Sequence, residues 1–262
     1  AGFEPQSTDQ LRKALLEDDS DTALIAAMTP DHLIAPIYGD YLAAAARPLT
    51  LVLAHGYAVY AGELTHFSPG HEAALLAPKA IGPKLAAAHA NAYPNPHHLV
   101  AAFHASPARA QQVTQLGLAL GFSVDNLVPA TFEQEAIGDL ISEQTLLCGG
   151  IFSLLEWTMN EMTRAGVPAR LIHEECLTEL ELVAGLLRER GMAATFSAIS
   201  QAAQCGTISM NEQFIKAGLP QLITQQAQGV VAKTFVDYMR RPEWKTKAEA
   251  LKERLARLEK KS

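Results

Sequence analysis

Three carboxylates recur at four-residue intervals within residues 131–150, TFEQEAIGDLISEQTLLCGG: Glu135, Asp139 and Glu143. In a helix that spacing lines them along one face. Like charges so placed repel, at about 0.2–0.5 kcal/mol for each pair. No neighbouring cation relieves them, because residues 110–163 contain neither Lys nor Arg. Leu140, Ile141, Leu146, Leu147 and Cys148 make the stretch too apolar for a solvated acidic face. Carboxylates stacked in such surroundings call for a positive partner, and hard divalent cations such as Mg²⁺ take oxygen ligands of this kind.

A second acidic group stands in residues 171–190, LIHEECLTELELVAGLLRER. On a helical wheel Glu174, Glu181 and Arg188 share the polar side, whereas Glu175 and Glu179 fall with Ile172, Leu182, Val183 and Leu186. A single glutamate there would simply reach water from the edge of that face. A second i,i+4 acid pair on the apolar side points instead to a shared ligand.

The elements that must position these groups differ between the two halves. Residues 8–17 read as a short amphipathic helix capped by Thr8 or Asp9. Short apolar runs at 22–28, 49–54, 72–77 and 98–104 read as strands, with 122–128 a further one. Helices are expected over 32–46 and 107–120. Strands alternating with helices predict a parallel, doubly wound α/β sheet. Ligands bind such sheets at the carboxyl ends of the strands, and His55 and Lys79 each stand just past one. From residue 131 onward the chain reads as helix almost throughout, with breaks at Gly149-Gly150, Gly166-Val167-Pro168, Gly191, Gly206, Gly218-Leu219-Pro220 and Arg241-Pro242. The domain boundary is placed near Ala130, giving domains 1–130 and 131–262.

Composition narrows the classes. The chain is 48% hydrophobic and 19% charged, ordinary for a globular protein, with a net charge of −7. That acidity argues against nucleic acid and anionic membrane partners. No run of 18 or more apolar residues and no signal peptide is present, which predicts a cytoplasmic protein. Cys148, Cys176 and Cys205 have no metal-ligand spacing and read as reduced, buried small residues. As a metal cluster His97, His98 and His104 are weaker than the acids; His66 and His71 read as solvent-facing loop residues, and His173 as facing water. Trp157, with Phe152, Met159 and Met162, reads as core or subunit interface.

Taken in order, five segments resemble those of the ketol-acid reductoisomerase family in its short form. Residues 131–150 resemble its metal-binding segment, LAHG at 53–56 its histidine motif, APK at 77–79 its lysine motif, EECLTELELV at 174–183 its second acidic helix and AISQAAQCG at 198–206 its serine segment. The resemblance implies an incomplete Rossmann-like sheet followed by an all-helical, knotted metal, substrate and dimerisation domain. It implies two Mg²⁺ ions, with Asp139 bridging them, Glu143 holding one, and Glu175 and Glu179 completing the site from the partner in a homodimer. It further implies that Glu135 and Lys79 form the polar network around metal and substrate, and that Ser200 bonds the substrate carboxylate. Thr29, Pro30, His55 and Gly56 would lie along NADPH. The implied reaction is Mg²⁺-dependent alkyl migration and NADPH reduction of a 2-hydroxy-2-alkyl-3-oxo acid of the acetolactate type, in branched-chain amino-acid biosynthesis.

Several positions depart from the family. A Gly-x-Gly-x-x-Gly pyrophosphate turn is absent from the sequence, which opens on Ala1, so the chain is expected to begin within the nucleotide domain. Ala80-Ile81-Gly82-Pro83 follows the lysine, Leu33 stands where Gln is common, Tyr57-Ala58 follows the histidine's glycine, and Gln201-Ala202-Ala203-Gln204-Cys205 follows the serine. These changes bear on substrate choice more than on metal binding. The competing readings are a metal-dependent isomerase without hydride transfer and a non-catalytic binding or structural paralogue.

Overall fold

The computed structural model describes residues 23–80 and 99–259, with Ser7, Asp9, Gln10 and Lys13. Most of the helix expected over 8–17, together with Ile81, Gly82, Pro83, His97 and His98, lies outside the described residues. The chain divides into two compact units, Ala1–Asp139 and Leu140–Ser262.

The first unit is built on five strands in the spatial order β1 (Ala23–Ala27), β2 (Leu49–Leu53), β3 (His71–Pro78), β4 (Ala101–His104) and β5 (Leu127–Pro129). Every residue of β2, LTLVL, is buried. Its alternate side chains serve opposite faces, as a sheet covered on both sides requires. Leu49, Leu51 and Leu53 pack with Ile34, Tyr38 and Leu42, which belong to helix α1 (Asp31–Ile37) and the wide π turn Tyr38–Leu42 that continues it. Val52 packs on the other side with Ala74, Leu76, Phe122 and Val113 of helix α3 (Ala110–Ala119). Fully burying each large aliphatic side chain is worth about 1.5–3 kcal/mol. The short helix α2 (Tyr57–Tyr60) follows β2 directly.

Strands β1, β2 and β3 are parallel, in register from Ala23↔Leu49↔His71 to Ala27↔Leu53↔Leu75. The sheet is not parallel throughout, as expected from the sequence, but mixed. Strand β4 runs antiparallel to β3, pairing Leu75 with His104 and Pro78 with Ala101, and β5 is parallel to β4. An apolar run reveals burial but not direction; direction depends on the path of the connecting chain.

His71 is a second correction. It opens β3 and is only 8% exposed. Its Nδ1 lies 3.0 Å from the Tyr38 hydroxyl and its Nε2 3.1 Å from the Ala45 carbonyl. The carbonyl can only accept, so Nε2 carries the proton and Nδ1 accepts from Tyr38. Cys148 and Cys205 are exposed, and only Cys176 is buried.

Helix α4 (Phe132–Ser142) starts with a capping box. Thr131 Oγ1 accepts from the Gln134 N–H at 3.1 Å, and Gln134 Oε1 accepts from the Thr131 N–H at 2.9 Å. The π turn Glu143–Leu147 follows.

The second unit contains α5 (Gly149–Arg164), α6 (Ala169–His173), the π turn Glu174–Thr178, α7 (Glu179–Arg190), α8 (Met192–Ala198), α9 (Gln201–Lys216), α10 (Leu219–Val231), α11 (Thr234–Met239) and α12 (Glu243–Glu259). Breaks fall near Gly166, Gly191, Gly218 and Pro242 as expected. Gly206, however, sits inside α9. The stop lies at Ser200, whose Oγ accepts from the Ala203 N–H at 3.2 Å and caps that helix. Among the described residues no helix is long and apolar enough to cross a membrane.

Candidate functional site

Two parallel strand ends and one helix build the site in the first unit. β2 ends at Leu53, β3 ends at Pro78, and α4 carries two acids. His55, Gly56 and Lys79 follow those strand ends, where the ladder stops and side chains turn into open space. Glu135 is 4% exposed. The Gly56 N–H donates to Glu135 Oε2 at 2.5 Å, and Lys79 Nζ forms an ion pair with Glu135 Oε1. Lys79 Nζ also donates to Asp139 Oδ1 at 2.9 Å. The missing cation for the stacked acids is therefore Lys79, which the fold brings in from outside their own stretch.

Gly56 is required where it stands. A Cβ there would lie 2.2 Å from the Phe132 carbonyl oxygen and 2.9 Å from Glu135 Oε2. The close approach of Gly56 to the start of α4 is what lets its N–H reach the carboxylate.

His55 lies between carboxylates. Its Nδ1 is 3.3 Å from Asp31 Oδ2, and its Nε2 is 3.4 Å from Asp139 Oδ2 and 3.8 Å from Glu135 Oε2. Burial opposes charging of the imidazole. The bond to Asp31 and the fields of Glu135, Asp31 and Asp139 outweigh it and raise the His55 pKa above its ordinary value. Burial likewise opposes charging of Lys79, and its bonds to Glu135 and Asp139 outweigh it, so that the ammonium is held more firmly than usual.

Thr29 and Pro30 are exposed at the end of β1, with Pro30 at the N-cap of α1. In the second unit Glu143 opens a π turn and lines a cavity of about 680 Å³ with Gln144, Cys148, Gln225 and Tyr238. Glu175 and Glu179 are exposed and line an apolar groove of about 320 Å³ with Ile151, Leu155, Cys176 and Val183. Ser200 is exposed and used as a helix cap. His66, His104 and His173 are exposed, and Trp157 is 62% exposed. Among the described residues of this single chain, no three His, Cys, Asp or Glu side chains gather at metal-binding distance.

Asp31 was not read from the sequence as a site residue, although the strand-end rule that marks His55 also reaches it. The Gly56 N–H was out of reach of sequence reasoning, because its partner lies 79 residues away.

The glycine pair after the acids also has a structural cause. A Cβ on Gly149 would lie 2.0 Å from the Gln144 carbonyl oxygen, and one on Gly150 2.5 Å from that of Thr145. The Cys148 N–H bonds back five residues to the Glu143 carbonyl at 2.9 Å. Bare glycines leave room for this wide turn beneath Glu143.

The chain resembles known proteins across nearly its whole length. Residues 132–262 match the family model "Ketol-acid reductoisomerase, C-terminal domain". A ketol-acid reductoisomerase (NADP(+)) of Campylobacter hominis is 25% identical over 229 residues, 86% of this chain and 67% of the relative. The solved structure of an NADH-preferring ketol-acid reductoisomerase from an uncultured archaean superposes with a TM-score of 0.74 at 24% identity. It covers 99% of this chain and 80% of its own.

Proposed function

The chain belongs to the ketol-acid reductoisomerase family, and on that premise we propose that it converts a 2-hydroxy-2-alkyl-3-oxo acid of the acetolactate type to a 2,3-dihydroxy acid. The reaction combines Mg²⁺-dependent alkyl migration with reduction by NADPH and serves branched-chain amino-acid biosynthesis in the cytoplasm. One observation carries this reading: Lys79, His55, Glu135 and Asp139 converge at the carboxyl ends of β2 and β3.

The donor chemistry fits two Mg²⁺ ions. Asp139 and Glu143 offer hard oxygens from one helical run, and Glu175 and Glu179 of the partner subunit would complete the set. Glu135 is a poor ligand, since one oxygen is committed to Gly56 and the other to Lys79. Among the described residues the buried Nε2 of His55 makes no hydrogen bond, as expected of an atom that waits for a ligand. NADPH would lie along Thr29, Pro30, His55 and Gly56, where the parallel strands end. The curated relative's name carries NADP(+), which agrees.

When bound, the metal ions supply Lewis acidity toward the substrate hydroxyl and carbonyl and the nicotinamide supplies hydride. The chain's own groups hold the charges in place. Lys79 pairs with Glu135 and Asp139 and would hold both carboxylates in place beside the substrate. Ser200 offers a hydroxyl to the substrate carboxylate, and His55 faces its reacting oxygens. Exposed apolar side chains of the second unit, such as Trp157, Leu182 and Met192, support a homodimer, and the family's knotted helical arrangement belongs to the same proposal.

Addition of acetolactate to the protein with Mg²⁺ and NADPH is expected to cause NADPH oxidation. Asp139→Asn is expected to abolish it and to weaken Mg²⁺ binding in a calorimetric titration. Mg²⁺-dependent isomerisation without NADPH oxidation would select the isomerase alternative. Absence of Mg²⁺ binding, or binding unchanged in Asp139→Asn, would overturn the metal site.

A further inference from the structure

We draw no further inference here: the strongest candidate, the apolar cavity of about 560 Å³ in the second unit that Leu154 and Trp157 of α5 and Leu222 and Ile223 of α10 line, carries nothing because nothing in the structure shows what covers it.

Discussion

Gly56 is fixed in kind by what its neighbours do. Its N–H holds Glu135, and the Phe132 carbonyl occupies the space that a side chain would need. Backbone, not a flexible side-chain end, is the obstacle, so the helix start itself must shift to admit a methyl group. Gly56→Ala is therefore expected to destabilise the protein by about 1–3 kcal/mol, as overpacking does. Urea unfolding measures this; an unchanged midpoint would show that the approach of α4 to β2 is looser than described. Activity should fall in the same variant, because Glu135 and Asp139 ride on that helix. At this scale the sequence was informative about residue types and poor about partners. Glu135, Asp139, His55 and Lys79 were all marked by spacing or by a strand end. The pairing of Lys79 with Glu135 came only through the family resemblance, and that Asp31 would bond His55 and that His71 would be a core residue depend on contacts between distant positions.

Elements were legible where local chemistry decides them. The apolar run of β2 and the Pro and Gly stops of the helical half act within a few residues; the capping box at Thr131 is just as local but was not read from the sequence. The antiparallel course of β4 and the π turn at Glu143 were not legible, because the first depends on the path between strands and the second on room left by Gly149 and Gly150. One long-range link also escaped the sequence. Glu156 of α5 is 8% exposed and receives two hydrogen bonds from Arg254 of α12, at 2.9 and 3.0 Å. The charged last helix is thus clamped to α5. The Arg254 bond lowers the Glu156 pKa, with burial opposing it. A lowered folded-state pKa contributes stability above the ordinary carboxylate range, and that contribution is lost as pH falls through the lowered value. Arg254→Met is accordingly expected to unfold more easily than wild type at pH 7. The gap should narrow below about pH 4, where the unfolded carboxyl is protonated. A gap independent of pH would mean that the arginine stem, not the ion pair, holds the helix.

The proposed reaction raises, at the scale of the whole molecule, the question of how two acid pairs on different elements would serve it. Asp139 belongs to the first unit, while Glu143, Glu175 and Glu179 belong to the second. Among the described residues of one chain no group of three potential ligands is assembled. The apolar groove beside Glu175 and Glu179, together with the exposed Leu182 and Trp157, would expose costly surface in a monomer. A twofold dimer resolves both problems if each site takes Asp139 from one chain and Glu179 from the other. The consequence can be tested by mixing two inactive proteins. In a heterodimer of Asp139→Asn and Glu179→Gln chains, one site collects both substitutions and the other collects none. Random re-pairing makes half the dimers mixed, each with one intact site, so activity should return to about a quarter of wild type. Both variants alone should remain dead, and sedimentation should show a dimer throughout. Were Asp139 and Glu179 to act within the same chain, every site in every pairing would carry one substitution. Mixing would then restore nothing, and the shared site would be refuted even if the dimer itself were confirmed.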